Sequence, residues 1–182
     1  TKIIGKKIMS QSVIGLVKTR VDAENLVAAL QDSGFLSSNL SVLFPDKDGT
    51  KDFAHDNSTK APEGAATGAT TGGIIGGALG LLAGIGVLAI PGVGPFIAAG
   101  PIMATLSGVG VGATLGGVTG ALIGMGIPEY EAKMFEGKLK EGNVLIAAHS
   151  EINDDLKRAE DIFKTHGATD VKRVDNQAVK AV

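Results

Sequence analysis

The residues able to do acid–base or ligand chemistry are few, and their spacing is uninformative for catalysis. The three histidines are His55, His149 and His166, and the chain contains no cysteine. That excludes disulfides, thiolate metal sites and cysteine nucleophiles. His55 lies in a polar run, Asp52-Phe-Ala-His-Asp56, and reads as a solvated loop. His149 ends an apolar run, and His166 stands where a helix would finish, a position that favours a cation. Neither His149 nor His166 has a second ligand at metal spacing, and a solvated loop is the better reading of His55 with Asp52 and Asp56 than a weak surface metal site. Asp154-Asp155 and Glu160-Asp161 read as charge on a helix start and face, not as an acid/base pair. Gly108-Val-Gly110-Val-Gly112-Ala113 matches the GxGxxA turn of dinucleotide sites, but that turn needs a strand before it and a helix after it. Here it sits inside a long uncharged run, and no GxxxxGK[ST] sequence is present. The expectation is therefore no catalytic residue, no metal and no cofactor. A net charge of −2 without a clustered basic face also argues against nucleic acid as a partner.

The elements that hold these residues fall into three parts: 1–63, 64–128 and 129–182. In the first, 12–18 is a β-branched run of strand type. Asp22 begins a helix through Gln31 with Ala23, Leu26, Val27 and Leu30 on one face, and Ser33-Gly34 stops it. Leu40–Phe44 alternates as a second strand, and 46–63 is a polar linker. In the third part, Pro128-Glu129 opens an amphipathic helix to Lys140, and Asn143–His149 is a strand. A helix from Asp154 carries Leu156, Ala159, Ile162 and Phe163 on one face and ends at His166-Gly167. Thr169–Val174 is a last strand. Strand–helix–strand twice over is the split βαβ pattern of ferredoxin-like folds, a four-stranded antiparallel sheet with both helices on one face.

The middle part has no Asp, Glu, Lys, Arg or His from Gly64 to Pro128. Glycine recurs there every fourth residue, at Gly64, Gly68, Gly72, Gly76, Gly80 and Gly84, then at Gly108, Gly112, Gly116, Gly120 and Gly124. On a helix such spacing makes a bare stripe along which two backbones approach closely. The spacing predicts helix A over 64–90 and helix B over 102–127, each roughly 40 Å long against a ~30 Å hydrocarbon core. Pro91 to Pro95 and Gly100-Pro101 would return the chain to its starting side. Each four-residue step also rotates the stripe by about 40°, so one straight partner cannot follow it. That predicts helix packing between subunits, hence a homo-oligomer. The hydroxyls Thr67, Thr70, Thr71, Thr105, Ser107, Thr114 and Thr119 are the only polar side chains in the run; they could line a pore or bond between helices.

The expected fold is thus α+β: a ferredoxin-like split βαβ domain interrupted by a two-helix glycine-zipper hairpin that crosses a membrane. With no apolar core of signal-peptide length near Thr1, the soluble domain is expected on the cytoplasmic side. The expected function is a non-enzymatic, self-associating membrane protein, with itself and the lipid bilayer as partners. One alternative is an oligomeric small-solute or ion pore gated by the cytoplasmic domain. Another is a soluble assembly with the hairpins buried between subunits.

Val13-Ile-Gly-Leu-Val, Gly92-Val-Gly-Pro95, Ala98-Ala-Gly-Pro101, Gly126-Ile-Pro-Glu-Tyr-Glu-Ala132 and Lys140-Glu-Gly-Asn-Val-Leu-Ile-Ala147 carry a family likeness over roughly 12–175. In these the chain resembles the bacterial general-stress and low-temperature-induced protein family. The resemblance implies a ferredoxin-like domain interrupted by a glycine-rich hairpin and stress-linked expression in bacteria; with the hairpin read as membrane-spanning, the expected location is the bacterial inner membrane. It implies no catalytic residues. A looser similarity, to the small membrane-anchored subunit of the quinol-oxidising alternative complex III, implies a possible partner in a membrane complex.

Overall fold

A computed structural model describes residues 11–46, 79, 82, 86–90, 94–102 and 117–175. In chain order the elements are β1 (Gln11–Val17), α1 (Arg20–Asp32), a 3-10 turn (Ser37–Asn39), β2 (Leu40–Pro45), β3 (Gly86–Ile90) and β4 (Gly94–Ala99). There follow α2 (Val118–Gly124), α3 (Glu129–Lys140), β5 (Val144–Ser150), α4 (Asn153–Thr165) and β6 (Thr169–Asp175). The six strands form one sheet in the order β3-β4-β2-β5-β1-β6, and every neighbouring pair is antiparallel. The fold is mixed α+β.

Local chemistry sets the element ends. Thr19 and Asp22 form a capping box on α1: the Asp22 amide donates to Thr19 Oγ1 at 3.1 Å, and the Thr19 amide donates to Asp22 Oδ2 at 3.2 Å. Two of the amides that a helix start leaves unbonded are thereby satisfied. At the other end Gly34 takes φ +104°, and the Phe35 amide reaches back to the Leu30 carbonyl at 3.1 Å. A left-handed closing residue of this kind suits glycine. Helix α3 begins at Pro128 with Glu129 and Glu131 in its first turn and finishes with Lys138 and Lys140, which matches the helix dipole at both ends.

Alternation along the strands sorts the core onto the two faces of the sheet. Val13, Val17, Val42, Phe44, Val144, Ile146 and Ala148 pack against Ala23, Leu26, Val27 and Leu30 of α1 and Leu156, Ala159 and Phe163 of α4. Ile14, Leu16, Leu43, Leu145, Ala147 and Val174 pack against Val118 and Leu122 of α2 and Ala132, Phe135 and Leu139 of α3. Gly15 lies directly beneath Phe163: a Cβ there would stand 2.7 Å from the ring edge. Both faces are therefore covered by helices, where the split βαβ pattern led us to expect helices on one face alone.

The uncharged run departs most from expectation. Residues 86–90, expected as the end of helix A, form β3, and residues 94–99 form β4. Strand β4 pairs with β2 through Val42↔Ala99, Leu43↔Ala98, Phe44↔Ile97 and Pro45↔Phe96, so the run widens the sheet past β2. Phe96 and Ala98 are buried on the α2/α3 side, Ile97 and Ala99 on the α1/α4 side with Leu79 and Leu82. Each large side chain buried in this way contributes on the order of 1.5–3 kcal/mol. Of helix B, residues 102 and 117–127 are described, and within them the seven-residue α2 packs on α3. Among the described residues no helix is long and apolar enough to cross a membrane. The expected transmembrane helix is thereby corrected where the chain is described: residues 86–90 are strand, and no described helix spans a membrane. The physical reason is a shared signature: a strand buried on both faces is a continuous apolar run, just as a spanning helix is.

Candidate functional site

Polar side chains are rare inside this sheet, and three of them share one region of it. Ser41 on β2 and Ser12 on β1 are fully buried, and His149 near the end of β5 is half-buried. Ser12 stands opposite His149 in the β1–β5 register, and Ser41 stands opposite Ala147 in the β2–β5 register. By alternation all three are on the face covered by α2 and α3. Ser41 Oγ lies 2.8 Å from His149 Nε2 and accepts the Ile102 amide at 3.0 Å. The simplest proton arrangement has the Ser41 hydroxyl donating to Nε2, leaving the ring hydrogen on Nδ1. Burial pushes the His149 pKa down to about 4, so the ring is neutral at pH 7.

A serine hydroxyl on a neutral histidine nitrogen is half of a nucleophile–base arrangement. Here the hydroxyl is fully buried, and one of its lone pairs is occupied by the Ile102 amide. No substrate carbonyl can reach it in this geometry. The pair instead ties β2 and β5 to the segment leaving β4. That segment turns at Gly100, where φ is +79° and a Cβ would lie 1.9 Å from the Leu40 carbonyl oxygen. Sequence reasoning placed His149 at a strand end but overlooked Ser41. The available signal was a polar residue between Leu40 and Val42 in an otherwise apolar strand, since a buried hydroxyl must find a partner.

The remaining candidates resolve into structural roles or fall outside the described residues. Thr119, considered as a pore-lining hydroxyl, donates its hydroxyl to Glu136 Oε2, and its amide donates to the same oxygen at 3.1 Å. Glu136 also pairs with Lys140 at 2.8 Å. Burial pushes the Glu136 carboxyl up, but the Lys140 ammonium and the Thr119 hydroxyl and amide together outweigh it and hold the pKa below its ordinary value. Asp155 accepts from Ser150 Oγ at 3.0 Å and from Arg158 at 2.6 Å, and Glu160 pairs with Arg173. His166 closes α4 with Nδ1 2.9 Å from the Ile162 carbonyl oxygen. Among the described residues no group of three or more His, Asp or Glu could hold a metal ion. Of the glycine series, Gly120 and Gly124 lie in α2 and are half-buried. Gly64, Gly68, Gly72, Gly76, Gly80, Gly84, Gly108, Gly112 and Gly116 lie outside the described residues, as do the GxGxxA match and His55.

One open pocket of about 530 Å³ lies between the β6 edge and the loop joining α2 to α3, lined by Gly126–Pro128, Glu131 and Lys172–Asp175. Its charges are already engaged. Lys172 pairs with Glu131, Arg173 with Glu160 and Asn153, and Asp175 accepts from Gln11 Nε2 at 2.6 Å. Lys172, Arg173 and Glu131 are thus ion-paired, whereas Asp175 is held by a neutral amide.

Comparison with known proteins adds no assignment to this geometry. No family model, curated protein or solved structure matches the chain.

Proposed function

We propose that the chain is a non-enzymatic, self-associating protein of the bacterial stress response, built on a ferredoxin-like unit whose sheet is widened by the uncharged run. The ferredoxin-like reading draws support from the order β2-β5-β1-β6, antiparallel throughout, with α1 and α4 on one face. The stress role rests on the resemblance carried by Gly126–Ala132 and Lys140–Ala147. The observation that carries self-association is the outer edge of the sheet: β3, Gly-Val-Leu-Ala-Ile, has no charge and no proline. An edge strand of that composition lacks the charge and proline guards against pairing with another chain. The fully buried Ser41 hydroxyl, bonded to His149 and the Ile102 amide, supports a role without catalysis.

Light scattering coupled to size exclusion, on the full chain in detergent-free buffer across a hundredfold concentration range, tests this reading. A dimer or larger species that dissociates on dilution is expected. A monomer at every concentration would overturn it.

A further inference from the structure

We propose that Ser41 and His149 form an acid-opened latch: as pH falls, the chain leaving β4 lifts off the sheet about Gly100, while the ladder joining β2, β5, β1 and β6 stays folded. This goes beyond the self-association proposed above and does not depend on it. The attachment of that chain is narrow. The β2–β4 ladder ends at Val42↔Ala99, and Pro101 has no amide hydrogen to give. The Ile102 amide is donated to Ser41 Oγ at 3.0 Å, and the Ile102 side chain is 1% exposed. Gly100 supplies the hinge: its φ of +79° is a conformation that glycine enters and leaves without steric cost.

One oxygen serves both sides of the latch. With the ring neutral, the Ser41 hydroxyl donates to His149 Nε2, and its oxygen is left to accept from Ile102. A protonated ring must itself donate at Nε2. Ser41 Oγ then accepts from both, and the buried serine hydrogen is left without an acceptor. A buried cation is costly as well, and opening relieves that cost by letting water reach the ring. Among the described residues, the charged groups on this face are already engaged with one another. Ser12 on β1 and Ser41 on β2 are the polar neighbours of the ring, and β4 carries no ionisable side chain. From β6 and α3 come Lys172 with Glu131, Asp170 with Lys138, and Glu136 with Lys140. Helix α2 adds Thr119, bonded to Glu136. The Glu136 carboxyl, held below its ordinary value, stays ionised between pH 7 and pH 5.

The experiment is residue-resolved amide exchange on the full chain at pH 7 and pH 5, each with and without sub-denaturing urea. Burial holds the ring at about 4 in the closed form against an ordinary 6.5, so opening takes up a proton between those values. The Ile102 protection factor should therefore fall about 30-fold from pH 7 to pH 5. Its exchange should depend little on urea, because a local opening exposes little surface. Ile146 on β5 should keep the full urea dependence of global unfolding at both pH values. His149→Gln retains an acceptor for Ser41 and should change Ile102 protection by less than about threefold over the same window. Ile102 exchanging at pH 5 only with the urea dependence of Ile146 would overturn the latch, and that comparison needs the wild type alone. An equal acid response of Ile102 in the wild type and in His149→Gln would overturn it too.

Discussion

Acidification should destabilise the chain through His149, and the size of the effect follows from its burial. The folded-state pKa is about 4 against an ordinary value of 6.5, so the unfolded chain binds the proton first as pH falls. Stability is therefore unaffected by this group at pH 7, declines as pH drops through 6.5, and levels off below about 4. The full difference corresponds to about 3 kcal/mol, of which about 2 kcal/mol is lost by pH 5. Structurally, a protonated ring donates into Ser41 Oγ, which already accepts the Ile102 amide, and leaves the buried serine hydrogen without an acceptor. The assay is urea unfolding at pH 7, 6 and 5 for the wild type and His149→Gln, whose side-chain oxygen can still accept from Ser41. The wild type should lose about 2 kcal/mol more than the variant over that window. Parallel pH dependence in the two proteins would refute the reasoning, because shared carboxylates cancel in the difference.

Other perturbations test the packing around the same elements. Ser41→Ala should cost about 1–3 kcal/mol in chemical unfolding at pH 7, because the buried Ile102 amide loses its acceptor. Gly100→Ala meets both a left-handed backbone and the Leu40 carbonyl; a loss above about 2 kcal/mol is expected, read as a lowered thermal midpoint. Glu136→Gln should cost about 1–2 kcal/mol at pH 7 by removing a charge-assisted acceptor from Thr119 and Lys140. Because the Glu136 pKa is lowered on folding, its contribution is fully present above 4.5 and is lost as pH falls through the folded value. The wild type and Glu136→Gln should therefore converge in stability at strongly acidic pH.

The parts of the fold that sequence reading placed well are those where one physical signal dominates. Gly34 and Gly167 punctuate the helices, and the one-sided apolar faces of α1 and α4 follow from spacing at helical period, while the start expected at Asp22 falls at Arg20 behind the Thr19 cap. The strand at 12–18 is displaced by one residue from the observed Gln11–Val17, the ordinary uncertainty of an element end. Within the uncharged run, 86–90 is strand where a helix end is expected and 94–99 is strand where a turn is expected, because two environments produce the same composition. Phe96-Ile-Ala-Ala99 is apolar at consecutive positions since helices α2 and α3 cover one face of β4 while Leu79 and Leu82 lie on the other. The fourfold glycine spacing ending at Gly84 extends the expected helix to 90, although glycine weakens a helix in water, and the prolines at 91, 95 and 101 favour a turn between. The Ser41–His149 link was invisible for another reason: the two residues are 108 positions apart, and only the β2–β5 register brings them together.

The central claim is that the uncharged run completes the sheet, and residue-resolved amide hydrogen exchange in detergent-free buffer tests it most directly. Among Ile97, Ala98 and Ala99, the amides that bond into the β2 ladder should exchange as slowly as Leu145 and Ile146 on β5. Exchange of all three at the rate of an unstructured chain would contradict the account.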